Sequence, residues 1–282
     1  MRNLQELRAR VDDGAVVLVN AVGVPRSMST AFCRALSQGD IPSIYVNEPF
    51  NRNNSDLDMS AATILADCSQ RGAERTLIVT KNMASYLSLA AFRDLDALAA
   101  VTIWNVRDPL IQLGSLVTRI ANDLYVQPGA DELTQDDAYA YLDRVCQFLC
   151  SSPRSYNYSK TGWQGVANLH ALEPQAPWVA IDGTNFVEAP EVNLRSVCDM
   201  LGVPYSPAMC DGWYRGFNNV VNQDNVDETL RSAWTSQAAI SRRVETNMRV
   251  PLDFERLPYT LQDHIVTVAL PAYQRVIADQ VC

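Results

Sequence analysis

The sequence predicts an α/β fold, a parallel β-sheet flanked by helices on both faces. Three observations predict it. Short apolar β-rich runs recur at 15–20, 42–46, 76–80, 100–106 and 177–181, and they read as continuous rather than alternating apolar stretches, the pattern of strands buried on both faces. Helical periodicities fill the spaces between them. The 282 residues are 48% hydrophobic, enough for a sizeable core.

The first run, Val16 to Asn20, leads through Gly23 into Pro25-Arg26-Ser27-Met28-Ser29-Thr30 and then Ala31-Phe32. A strand followed by a hydroxyl-rich loop and a helix start offers backbone N–H groups and a positive dipole end to an anion. The same hydroxyls also suit an ordinary helix cap. A Walker A loop reads GxxxxGK[ST]; Gly23 to Thr30 carries an early Arg26 and no Gly-Lys pair, which disfavours an ordinary ATP or GTP site and a P-loop small-molecule kinase. The second run ends near Asn47-Glu48-Pro49-Phe50, and the third at Thr80-Lys81-Asn82. The fourth ends on Arg107, with Asp108-Pro109 opening a helix in which Leu110, Leu113, Val117 and Ile120 share a face. Ser115 follows Arg107 by eight residues, so two helical turns bring its hydroxyl back toward the guanidinium. Arg107-Asp108 alone also reads as a strand-end salt bridge. Tyr139, Leu142, Val145, Cys146 and Leu149 form another apolar face, as do Leu194, Val197, Cys198 and Leu201 before a stop at Gly202. From about residue 205 the strand–helix rhythm fades, and 205–282 is expected to wrap over the functional edge of a single domain spanning 1–282.

Composition sets the outer bounds on function. The net charge of −9 excludes a general role on nucleic acid or an anionic membrane, so an anion site must be local. No apolar run approaches the roughly 20 residues that cross a bilayer, and Met1 to Asp13 is too charged for a signal peptide, so a cytoplasmic location is expected. Seven cysteines without a CxxC pair read as reduced, mostly buried thiols, and His170 and His264 stand in no metal-binding spacing. No metal is expected.

Taken together, the loop at 25–30 and the segment Arg107-Asp108-Pro109 with Ser115 resemble the sulfotransferases that use 3′-phosphoadenosine 5′-phosphosulfate (PAPS). In that family a PRSGST or PKSGTT loop cradles the 5′-phosphosulfate and an RDP segment followed by a serine holds the 3′-phosphate; here five residues separate Pro109 from Ser115. Here Met28 stands where the family has Gly. The resemblance covers about 15–215 and includes "VNEPF" at 46–50, "IVTKNMASYL" at 78–87 and the stretch 179–209. The wording PRSMST, EPF and TKNM points to bacterial and fungal sulfotransferase-like proteins often labelled aminotransferase-like.

The resemblance implies a P-loop-like sulfotransferase fold and transfer of a sulfuryl group from PAPS to a hydroxyl or amino group of a small molecule, leaving adenosine 3′,5′-bisphosphate (PAP). It implies that Arg26, Ser27, Met28, Ser29, Thr30 and Ala31 hold the 5′ anion, with Arg26 gripping it by its planar fork. Arg107 and Ser115 would hold the 3′-phosphate, with Arg242 and Arg243 as candidates to complete the site. Where many relatives place a histidine base, this chain has Thr80-Lys81-Asn82; the heparan-type branch uses a glutamate after the second strand, matched by Glu48. Glu48 is then the expected base, its pKa raised by the apolar Tyr45 and Phe50, and Lys81 the cation that steadies the bridging oxygen. An ion pair of Glu48 with Arg26 or Lys81 is the competing reading. The aromatic stretch Arg154 to Trp163 and the pair Trp213-Tyr214 would be acceptor walls or helix-packing residues. A phosphonucleotide-binding protein without catalysis is the alternative class, motivated by Met28 and the missing histidine.

Overall fold

The five expected runs are strands in the computed structural model: β1 (Val16–Gly23), β2 (Ser43–Asn47), β3 (Thr76–Met83), β4 (Val101–Val106) and β5 (Trp178–Asp182). The structure describes residues 2–48, 61, 65, 75–127, 131–150, 157–211, 220–221 and 251–279. All strands run parallel in the order β5-β4-β1-β3-β2, and a two-residue strand, β6 (Val220–Val221), pairs with Tyr45 and Val46 at the β2 edge. Every residue of β1 and β4 is buried. That is why their sequences read as unbroken apolar runs rather than as alternation.

Two strands run further than the apolar pattern indicates. β1 extends to Gly23 and β3 to Met83, so Lys81 lies inside β3, in register with Ala21 and Asn47, rather than at its end. Lys81 and Asn82 are 1% exposed. Polar residues in a fully covered strand need partners: Lys81 finds its own at the site described below, and Asn82 donates through Nδ2 to Asn20 Oδ1 of β1 at 3.1 Å.

The helices are α1 (Arg2–Asp12), α2 (Ser29–Leu36), α3 (Leu89–Asp96), α4 (Pro109–Tyr125), α5 (Leu142–Leu149), α6 (Trp163–His170), α7 (Gly183–Glu188), α8 (Pro190–Leu201), α9 (Tyr259–His264) and α10 (Leu270–Ala278). α2 and α8 cover one face of the sheet, where Phe32 of α2 meets Phe186 of α7 edge-on with centroids 5.3 Å apart. α3, α6 and α10 cover the other through Phe92, Trp163, Val166, Ala272 and Val276 against Trp104 and Val106. Burial of a Phe such as Phe32 is worth about 3–5 kcal/mol against alanine. The chain therefore leaves β1 toward one face and crosses back through α3 to reach β4 on the other side of β1. Between β1 and β4 the connections diverge, which opens a crevice at the carboxyl ends of the two strands.

The expected helix faces are buried as read: Leu113, Val117 and Ile120 in α4, Val145 and Leu149 in α5, and Leu194, Val197, Cys198 and Leu201 in α8. Gly202 ends α8 with φ 59, the left-handed conformation in which glycine carries no Cβ penalty. The described part of the segment after 205 does two things. Val220–Val221 extends the sheet beside β2, and α9 and α10 pack on α4, α5 and α6. Five described cysteines, Cys33, Cys146, Cys150, Cys198 and Cys210, are free thiols, four of them buried. Among the described residues no helix is long and apolar enough to cross a membrane.

Candidate functional site

The loop after β1 is built for close backbone approach. A Cβ on Gly23 would lie 2.9 Å from the Asn105 carbonyl of β4 and 3.1 Å from the Ser27 hydroxyl, so only glycine fits there. Ser27 is buried and donates to the Val24 carbonyl at 2.8 Å, which tightens the turn from within. From below, the Gln112 amide of α4 donates to the Pro25 carbonyl at 2.7 Å, and the Trp163 indole donates to Gln112 at 3.1 Å. The loop is braced by neutral groups.

Its backbone is strained in a purposeful place. Arg26 and Met28 adopt φ of 66 and 65, and Glu48 after β2 adopts φ 49; among the described non-glycine residues only Tyr158 and Glu173 share positive φ. Each such residue costs about 1–3 kcal/mol and tends to persist where function requires the shape. Left-handed turns at alternate residues swing successive N–H groups to one side, as in anion-binding concavities. Met28 sits at the N-cap of α2 and offers no side-chain cap, so the first-turn amides at Ser29, Thr30 and Ala31 lack helical partners. Met28 is thus a left-handed residue whose side chain is buried in the core against α7.

Three guanidiniums surround this loop. Arg26 donates through Nε to Ser115 Oγ of α4 at 3.1 Å, joining segments 89 residues apart. Part of the Arg26 side chain is solvent-exposed, yet desolvation in the crevice and repulsion from Arg119 and Arg107 lower its pKa to about 10, so it remains cationic at neutral pH. Arg107 is 1% exposed, and its Nε donates to Thr184 of α7 at 3.3 Å. Ser115 therefore meets Arg26 and not, as its spacing led one to expect, Arg107. Asp108 forms no strand-end salt bridge with Arg107. It caps α4 instead, accepting from Leu110 N at 2.9 Å and Ile111 N at 3.2 Å, with Pro109 in the first turn.

At the β2–β3 end of the same edge the charges are opposite and paired. Glu48 Oε1 accepts a hydrogen bond and ion pair from Lys81 Nζ, both side chains buried, and the Glu48 amide donates to the Lys81 carbonyl at 2.7 Å. Lys81 also reaches Asn47 Oδ1 at 3.4 Å. Tyr45 donates to the same Asn47 oxygen at 2.8 Å. Burial pushes the Tyr45 phenol well above its ordinary pKa, so it stays a neutral donor. The carboxylate is thus met by an ammonium, while the Tyr45 phenol is turned to Asn47. Tyr45, Asn47, Lys81 and Glu48 form a continuous set of contacts at this end of the edge.

Other expected residues lie elsewhere. His170 stands between the rings of Trp104 and Trp178, with centroids 5.5 and 5.2 Å away, and burial lowers its pKa. His264 bonds Thr161 at 3.1 Å, and burial lowers its pKa to about 4. Neither serves the edge as a base. Tyr158 and Trp163 are fully buried, and Lys160 donates to the Phe148 carbonyl at 2.6 Å, so the described part of the 154–163 stretch is packing beneath the loop and not an acceptor wall. Pro49, Phe50, Arg154, Trp213, Tyr214, Arg242 and Arg243 lie outside the described residues. Sequence reasoning missed Tyr45 as a polar link, Asn47, Gln112, Thr184 and Arg119. Of these only Arg119 carried a signal, its place four residues after Ser115 on one helix.

No protein-family model and no curated protein matches the sequence. Among solved structures, the chain is similar to the sulfotransferase domain from the curacin biosynthetic pathway at 16% identity and TM-score 0.44, covering 89% of this chain and 96% of that one. It is similar to the sulfotransferase domain from the Synechococcus PCC 7002 olefin synthase at 14% identity and TM-score 0.44, covering 86% and 91%. It is also similar to mouse sulfotransferase SULT7A1 complexed with PAP at 12% identity and TM-score 0.45, covering 98% and 90%.

Proposed function

We propose that the chain transfers the sulfuryl group of PAPS to a hydroxyl or amino group of a small-molecule acceptor. The observation that carries this reading is the hydrogen bond from Arg26 to Ser115, which joins the two anion motifs in a crevice where Arg107 and Arg119 add like charge. Crowded cations without a carboxylate in hydrogen-bond contact with Arg26 gain most from a multiply charged anion. A nucleotide with phosphates at both 5′ and 3′ positions is such an anion.

In this reading the amides of Ser29, Thr30 and Ala31 and the Arg26 fork hold the 5′ group, while Arg107 and Ser115 hold the 3′-phosphate. The nucleotide supplies a sulfuryl group that passes in line between two oxygens, a reaction in which positioning and electrostatics carry most of the catalysis. Lys81 turns from Glu48 toward the developing charge on the bridging oxygen. Glu48, released from the pair and steered by Asn47, takes the acceptor proton. The buried pair is then a resting arrangement of two catalytic groups.

The mutual neutralisation of Glu48 and Lys81 favours a second reading, a protein that binds the nucleotide without catalysis. Two measurements separate the cases. Calorimetric titration with PAP should give saturable binding under both. Incubation with sulfur-labelled PAPS and pooled metabolites should label an acceptor only under the first, and absence of PAP binding would remove both.

A further inference from the structure

Tyr273 of α10 is tied to the carboxyl end of β5, 91 residues away: its hydroxyl donates to Asp182 Oδ2 at 3.0 Å. Burial, together with that carboxylate, holds the phenol above its ordinary pKa, so it stays a neutral donor. Asp182 is the last residue of β5 and is 7% exposed. Its other oxygen caps α7, accepting from Thr184 N at 2.8 Å and Asn185 N at 3.2 Å. The cap needs only those two amides. The third donor, arriving from α10, pins the carboxylate and with it the seat of α7.

The first turn of α7 touches both halves of the crevice. A Cβ on Gly183 would collide with the Ser27 carbonyl and come within 3.2 Å of Met28 Cγ, so α7 presses directly on the anion loop. The next residue, Thr184, accepts from Arg107 Nε at 3.3 Å. Asp182 is in register with Val106, the residue before Arg107. This turn therefore stands between the loop assigned to the 5′ group and the guanidinium assigned to the 3′-phosphate. The Tyr273 ring meets Trp163 edge-on with centroids 6.2 Å apart, and Trp163 braces the same loop through Gln112. Ring and hydroxyl of one side chain thus reach the crevice by separate routes. A nucleotide carries its two phosphates at a span set by the ribose, so two anion sites hold both at once only when their separation is fixed in advance.

We propose that Tyr273 is a positioning residue of the nucleotide site: through Asp182 it seats the first turn of α7, which sets the span between the anion loop and Arg107. This role rests on the nucleotide contacts assigned above, and the test keeps the two apart. PAP and AMP, which lacks the 3′-phosphate, are titrated calorimetrically into the parent, Tyr273→Phe, Thr184→Val, Thr184→Ser and the Tyr273→Phe/Thr184→Val double variant. Tyr273→Phe keeps the ring on Trp163 and loses only the hydroxyl. It should weaken PAP about fivefold and leave AMP within about twofold of the parent. Thr184→Val should do the same, and Thr184→Ser, which keeps a hydroxyl for Arg107, should stay near the parent. Both changes act on one path, so the double variant should lose less than the product of the two single losses. The proposal is overturned, and the nucleotide reading kept, if either Tyr273→Phe or Thr184→Val preserves the parent's preference for PAP over AMP, or if the two losses multiply in full. A parent that binds no PAP, or that binds PAP and AMP equally, overturns the nucleotide assignment and this proposal with it.

Discussion

The two ends of the carboxyl edge solve opposite electrostatic problems. Around β1 and β4, Arg26, Arg107 and Arg119 lie close enough to repel one another, and among the described residues the hydrogen-bond partner of Arg26 is the neutral Ser115. Around β2 and β3, Glu48 and Lys81 cancel each other in a buried pair, with Asn47 beside them. The first end carries an excess of cations although Asp123 pairs with Arg119, and the second holds one cation against one anion. In the proposed function, affinity for the nucleotide is assigned to the first end and chemistry to the second.

That division is breakable by substitution. The largest effect is expected for Lys81→Met, which strands the Glu48 carboxylate in the interior and should cost about 3–5 kcal/mol in a denaturant titration. Adding Glu48→Gln should restore most of that loss, since a neutral amide tolerates burial better than a lone charge. A single variant as stable as the parent would show that the pair is not buried in solution.

Next comes Glu48→Gln alone. If the carboxylate is the base, saturated turnover should fall roughly 100-fold while PAP affinity holds, a change of about 2.7 kcal/mol in the barrier. Loss of stability with turnover intact would reduce Glu48 to an ion partner of Lys81. At the other end, Arg26→Ala should weaken PAP by about 2 kcal/mol, on the order of 30-fold. Unaltered affinity would detach the loop from the nucleotide. The smallest effect sharpens the comparison within the cationic end. Arg107→Ala or Ser115→Ala should weaken PAP by about 1 kcal/mol more than AMP, which lacks the 3′-phosphate. Equal losses for the two nucleotides would place both residues away from that phosphate.

The sheet was legible because burial on both faces writes an unbroken apolar run, and all five runs are strands. The ends of β1 and β3 were not, because Asn20, Lys81 and Asn82 are polar residues buried in strands, where a local pattern reads them as boundaries. Arg26 and Ser115 were named from motif wording, and the structure sets Arg26 in the loop after β1 and Ser115 on α4. Their direct contact was invisible, since nothing local relates two segments 89 residues apart. Spacing pointed Ser115 at Arg107 because both lie on one strand–helix unit, whereas the loop from β1 inserts Arg26 between them. Tyr45 and Asn47 were silent for another reason. Tyr45 and Asn47 alternate along β2, and which residues become a polar link depends on Lys81 arriving from another strand. The aromatic stretch ending at Trp163 read as a ligand wall because flat rings suit ligands; the indole instead braces the anion loop through Gln112.

The central claim is that the β1–β4 crevice is a site for a nucleotide phosphorylated at both the 5′ and 3′ positions. Calorimetric titration of the parent chain with PAP and then with AMP tests it most directly. The account expects one saturable site that prefers PAP by tenfold or more, because the second phosphate engages Arg107 and Ser115. Absence of binding, or equal affinity for the two nucleotides, would contradict it.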